Sequence, residues 1–417
     1  MTIGPLRKAK LLAGVFKASV LSFIAIIAMG IYDFTLPIFT DSVEASFAIV
    51  GLIFSLVYVA SFIVEIPVGL AVDKYGRIKV ILIAMSAMGV LGVVYYLLTE
   101  NVMVLAVLSL IYGAFSVGFW IPSAVLIRDI SPRKMLSQAE SLYLDIIQVG
   151  RIIGPIIAGF FAATFLVRHN FLLVTVFMFI AVAFGAIAFR GHKHKKIKKQ
   201  QQGHHHKPQI TLFATLFKEF IGVHKHTTPL YILTFIIYIW MAAEWAFVPL
   251  ASMARFGFTE TGAGLLLGAM MAVEGVLYYS SGYVMDKIGK KYIITAGFFL
   301  LFSSAYFMFL STNPAIFVLA TLFAAAAISW VIPGTEALLT EIVPKNLYGE
   351  MSGVFDTSKD LGLIVGPIVC GVVATTIGNP LASFLFVAIT AGAASLISGW
   401  FFWPQAKFGT HKYMCSK

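Results

Sequence analysis

Apolar residues run through this chain in blocks of about 20 or more, separated by short clusters of Gly, Pro and charged residues. An α-helix rises 1.5 Å per residue, so about 20 apolar residues cross a hydrocarbon layer of about 30 Å. Twelve such blocks predict twelve helices. The first six lie at about 13–38, 47–71, 78–98, 103–128, 138–164 and 170–189. The last six lie at about 229–252, 262–285, 292–311, 314–339, 350–377 and 381–403. The first block is too long for the apolar core of a signal peptide and reads as an anchor. Between the sixth and seventh blocks lies a basic, His-rich run, HKHKKIKKQQQGHHHK (192–207). After it, Leu212, Phe213, Leu216, Phe217 and Phe220 recur at helical spacing, which predicts an amphipathic helix lying in the membrane interface. The pattern divides the chain into a six-helix bundle (1–189), a linker (190–228), a second six-helix bundle (229–404) and a tail (405–417).

Composition excludes a water-soluble enzyme. Of 417 residues, 59% are hydrophobic and only 12% charged, against about a quarter charged in a soluble domain. Mean hydropathy is +0.92. The net charge of +11 would suit a nucleic-acid partner if it formed one patch, but it is spread over the short segments between apolar blocks. Of the 30 Lys and Arg residues, 26 fall on one side of a twelve-helix arrangement. The positive-inside rule then puts both termini in the cytosol of a multi-pass protein of the cell membrane. Two cysteines build no disulfide framework, and no Cys/His spacing matches a structural zinc site. The histidines of 192–207 read as a solvated basic loop near anionic lipid rather than as a metal site. No cofactor is called for, and no GxxxxGK[ST] loop offers ATP as an energy source.

The two halves repeat each other. Gly69-x-x-x-Asp73-Lys74-x-Gly76-Arg77 recurs as Gly282-x-x-x-Asp286-Lys287-x-Gly289-Lys290, an offset of 213. Gly150-x-x-x-Gly154-Pro155-x-x-x-Gly159 recurs as Gly362-x-x-x-Gly366-Pro367-x-x-x-Gly371, an offset of 212. Pro37 with Pro249, Pro132 with Pro344 and Asp129 with Glu341 keep that offset. The chain is a duplicated six-helix unit.

GLAVDKYGRIK (69–79) and its copy after the eighth helix resemble the signature of the major facilitator superfamily. That resemblance covers essentially the whole chain and implies an all-α membrane protein of two pseudo-symmetric six-helix bundles. GRIIGPIIAG (150–159) further resembles the fifth-helix signature of the superfamily's proton-coupled drug exporters, and Asp33-Phe-Thr-Leu-Pro37 roughly matches their first helix. Those exporters usually carry an arginine in the middle of the fourth helix. Here the fourth helix has only Arg128, at its end. The resemblance implies a transporter working by alternating access, with helices 1, 4, 7 and 10 lining a central cavity, and not an enzyme. A monomer suffices for such an architecture.

Three groups of residues carry the candidate chemistry. At one membrane face, Asp73, Arg77 and Asp129, framed by Gly69 and Gly76, form a charge latch, which Asp286, Lys290 and Glu341 repeat. In the fifth and eleventh helices, Gly150, Gly154, Pro155 and Gly159, with Gly362, Gly366, Pro367 and Gly371, permit kinks and close packing. At membrane depth, eight acids (Asp33, Glu65, Asp145, Glu244, Glu274, Glu336, Asp356 and Asp360) face two bases, Arg151 and Lys359.

Each intramembrane charge costs about 2.5–3.5 kcal/mol on insertion scales, so each is a functional candidate. Desolvation disfavours an unpaired carboxylate, so Asp33, Glu244 and Glu336 are candidates to bind and release protons. Arg151 and Lys359 are candidates either for structural pairs, with Asp145 and with Asp356 and Asp360, or for holding an anionic substrate group. Trp120 and Trp330 are candidate aromatic walls for a flat or cationic substrate. The expected activity is proton-coupled efflux of lipophilic or cationic organic compounds, with protons, a small molecule and membrane lipid as partners. Import of a sugar or organic anion, and export of a divalent metal, remain open alternatives.

Overall fold

The computed structural model of the protein describes residues 5–44, 46–98, 101–131, 135–190, 227–343 and 348–402. The amphipathic helix expected within 190–228 and the tail 405–417 lie outside the described residues. The first six helices are α1 (Pro5–Val43), α2 (Phe47–Tyr75), α3 (Arg77–Leu98), α4 (Val102–Ile130), α5 (Leu136–Thr164) and α6 (Asn170–Ala188). The last six are α7 (Thr228–Phe256), α8 (Glu260–Ile288), α9 (Lys290–Leu310), α10 (Pro314–Ile342), α11 (Tyr348–Ile377) and α12 (Ala382–Phe402). All twelve are long and apolar enough to cross a membrane.

Several helices run past their apolar blocks. α1 extends from Pro5 to Val43, beyond the expected 13–38, by including the polar sequences PLRKAK and TDSV. Hydropathy does not register such turns, yet a helix that satisfies its own backbone hydrogen bonds continues into the headgroup layer without penalty.

Two faces of the bundle differ. The face bearing the α2–α3 and α8–α9 turns is here called the motif face, and the opposite one the far face. Gly76 (φ 91°) and Gly289 (φ 100°) make those turns in backbone conformations that L side chains rarely adopt. Their N–H groups donate to the carbonyls of Val72 and Met285, 3.0 and 2.8 Å away, and so close off α2 and α8.

Within each half, the Gly-Pro elements bring backbones together. A Cβ on Gly154 of α5 would lie 2.9 Å from Gly30 Cα of α1, and one on Gly366 of α11 would lie 2.7 Å from the Ile239 carbonyl of α7. Between the halves, α2 packs on α11 and α5 on α8. At the far face these seams are main chain against main chain: Gly51 against the Pro367 carbonyl, Gly371 against that of Phe47, and Gly159 against that of Glu260. Deeper along α5, Gln148 Nε2 donates to the Met271 carbonyl at 2.7 Å. At the motif face, by contrast, Gly69, Gly282 and Gly353 have no neighbour within 4 Å of where a Cβ would stand. Among the described residues, the close main-chain contacts between the halves named here lie toward the far face.

Candidate functional site

Three prolines position the centre. A proline has no N–H to give the carbonyl four residues earlier. Pro37, Pro155 and Pro249, inside α1, α5 and α7, therefore free the carbonyls of Asp33, Arg151 and Trp245. The side chains of these three residues lie in the same region. Arg151 Cζ stands 5.7 Å from the centre of the Trp245 ring, and its charge acts on Asp33, Glu244 and Glu274. Tyr58 of α2 lies within electrostatic range of Asp33, Arg151 and Glu244. Five helices thus converge on one guanidinium: α1, α2, α5, α7 and α8.

Burial within this cluster is uneven. Asp33 is half-buried. Glu244 and Glu274 are 0% and 5% exposed. Both carboxyl oxygens of Glu244 and Oε1 of Glu274 make no close hydrogen bond, and the similarly unsatisfied indole N–H of Trp240 is the donor that acts on Glu244. Arg151 makes no ion pair among the described residues; it faces three acids without closing on any of them.

A second charged group lies closer to the motif face of the second half. Lys359 of α11 donates to Glu336 Oε1 of α10 at 3.0 Å and pairs with Asp356 at 3.2 Å. Its ammonium stands 4.8 Å from the Phe355 ring and 5.8 Å from that of Tyr238. A cavity of about 460 Å³ opens beside it, lined in part by Glu336, Thr340, Tyr348, Asp356 and Lys359. Glu65 of α2, from the other half, is in electrostatic range of Asp356 and Asp360.

The remaining residues singled out in the sequence are distributed as follows. Arg77 pairs with Asp129 at 2.8 Å, and Lys290 pairs with Glu341. Asp73 and Asp286 are exposed and take no part in these pairs. Both pairs join helices of the same half. Arg128 pairs with Glu140 at 3.0 Å at the motif face. Asp145 is exposed and is not the partner of Arg151. Trp120 is 42% exposed on α4, and Trp330 stands beside Gly297 of α9. Trp245 and Tyr58 supply aromatic rings at the central charges. Sequence reasoning gave Glu274 no specific part and passed over Trp245 and Tyr58. In the structure, Gly159 opposite Glu260 and Gly264, and Gln148 opposite Met271 and Gly275, set an antiparallel register of α5 and α8 that carries Glu274 to within about one helical turn of Arg151.

The Major Facilitator Superfamily model matches residues 18–243 and 230–412. An uncharacterized MFS-type transporter of Methanocaldococcus jannaschii is 23% identical over 369 residues, 88% of this chain and 93% of that protein. Multidrug resistance protein 2 of Bacillus subtilis is 26% identical over 357 residues, 84% of this chain and 86% of that protein. Among solved structures, the nucleoside transporter NupG superposes with a TM-score of 0.75 at 15% identity, covering 93% of this chain and 98% of that one. A bacterial homologue of the iron transporter ferroportin, in an inward-facing state, gives 0.72 at 14% identity, covering 94% and 98%. The duplicated six-helix unit, the paired glycine turns and the family match over nearly the whole length agree: this chain belongs to the Major Facilitator Superfamily and is a multi-pass membrane transporter.

Proposed function

We propose that this transporter exports lipophilic or cationic organic compounds from the cytosol in exchange for protons. The observation that carries this reading is the balance of charge at the centre, where, among the described residues, Arg151 is the one cation acting on the three acids Asp33, Glu244 and Glu274. A buried site short of positive charge must take up protons or a cation, and the Trp245 and Tyr58 rings beside Arg151 and Asp33 give it an aromatic surround. The similarity to a protein named for multidrug resistance supports the same direction. The positive-inside distribution supports a cytosolic motif face, and the close main-chain seams at the far face support an arrangement open to the cytosol. Alternating access then amounts to closing the motif face and opening the far-face seams.

Purified protein in liposomes with an imposed pH gradient tests the reading. Added tetraphenylphosphonium should trigger proton movement, and Asp33→Asn should abolish it. Absence of any cation-dependent proton flux in the wild-type chain would overturn it. A second reading, import of an organic anion, draws on the lack of an ion pair at Arg151. In the same liposomes it predicts cation-independent uptake of the anion, lost in Arg151→Gln.

A further inference from the structure

The central carboxyl groups fall into two environments. Glu244 and Glu274, on α7 and α8 of the second half, are shut away from solvent with three oxygens that make no close hydrogen bond. Each lies in electrostatic range of the other. Asp33, on α1 of the first half, is only half-buried. Arg151, on α5, is among the described residues the one cation whose charge acts on all three. It is held in a fixed pair with none of them.

We infer that Glu244 and Glu274 together form the site of the coupling proton, that Asp33 receives the cationic cargo, and that the two sites exclude each other by competing for Arg151. When the glutamate pair holds the proton, its pull on the guanidinium weakens, Arg151 neutralises Asp33, and a cation is displaced. When the pair gives the proton to water at the open face, its carboxylate draws Arg151 away and leaves Asp33 uncompensated for a cation. One proton leaves for each positive charge that binds, so the charge of the cluster stays constant, as a low-dielectric site demands. This inference rests on the export reading and adds how proton and cargo exclude each other without sharing a residue.

The other charged and titratable groups near the pair leave this assignment intact. α2 contributes Tyr58, and α8 contributes Tyr278. Glu336 of α10 acts on Tyr278 but is tied to Lys359. Lys359 of α11 faces Tyr238 of α7 and is held by Glu336 and Asp356. α12 carries no titratable side chain.

The test is calorimetric binding of tetraphenylphosphonium to the full-length protein in detergent between pH 6 and pH 9. Wild-type affinity should rise up to tenfold per pH unit where the pair titrates, with one proton released per cation, since linkage ties the slope to the protons exchanged. Glu244→Gln combined with Glu274→Gln mimics the protonated pair; its binding should be at least tenfold weaker at pH 9 and flat with pH. Arg151→Gln, with the pair intact, should bind the cation but also lose the pH dependence. Wild-type pH dependence persisting in either variant refutes the inference. No binding by the wild-type chain refutes the export reading itself.

Discussion

Thr375 of α11 accepts a hydrogen bond at 2.8 Å from the backbone N–H of Ala48 in the first turn of α2. Ser46, at the N-cap position of α2, makes no side-chain hydrogen bond to its own helix. A first-turn amide is an orphan donor, and here the opposite half of the molecule satisfies it. Opening the far face removes that cap. Loss of a capping side chain costs about 0.5–2 kcal/mol, so Thr375→Val should shift the equilibrium towards far-face opening by about two- to thirtyfold. Distances between spin labels at the far ends of α2 and α11 should lengthen in Thr375→Val and stay as in the wild type in Thr375→Ser.

The far-face seams also bar a side chain. A Cβ on Gly51 would run into the Pro367 carbonyl, and one on Gly159 into that of Glu260. Both collisions are between halves and spare the packing within each. Gly51→Val and Gly159→Val should therefore insert and fold, expose the far face to membrane-impermeant thiol reagents at an introduced cysteine, and transport at less than a tenth of the wild-type rate. Normal transport by either variant would show that these seams part without consequence.

Arg77 and Asp129 join the start of α3 to the end of α4 within one half. Such a pair at a partly solvated surface adds about 0–1 kcal/mol to stability. If its role is to shape the motif face for closure, Arg77→Ala should cut transport at least tenfold while moving the thermal midpoint in detergent by only a few degrees. Asp129→Asn should have the same effect, and the double variant should be no worse than either alone, a coupling that a double-mutant cycle measures.

Lys359 differs because it stands half-buried with four oxygen or aromatic neighbours: Glu336, Asp356, Phe355 and Tyr238. It is 20% exposed, while Glu336 is 44% exposed. Between the values for surface and buried pairs, Lys359→Met should cost roughly 1–3 kcal/mol by leaving Glu336 uncompensated. Adding Glu336→Gln should restore most of the loss. Thermal unfolding of the detergent-solubilised variants reads both steps.

The architecture was legible because its causes are local: hydrocarbon thickness sets block length, and the 212-residue offset repeats glycines whose absent Cβ governs helix approach. The residues that meet at the centre were only partly legible. Asp33, Glu244 and Arg151 stood out as charges at depth, but depth along a helix does not say which way a side chain turns. Trp120 and Trp330 stood out by depth alone, whereas Trp245, next to Glu244, carries the ring beside Arg151. Lys359 was expected to balance Asp356 and Asp360 on its own helix. It reaches across to Glu336 as well, because a long flexible stem lets an ammonium choose a partner on the neighbouring helix.

The far-face contacts described above are made by peptide groups, glycine Cα atoms and the Thr375 hydroxyl, none of which carries a net charge. Added electrolyte, which weakens attraction between solvated ions over a Debye length of about 8–10 Å, has nothing there to act on. The motif face is held in shape by Arg77–Asp129 and Lys290–Glu341, which it can loosen. The two faces thus answer to different features of their surroundings: one to the ionic content of the adjacent water, the other to the steric fit of the chain and one uncharged hydrogen bond.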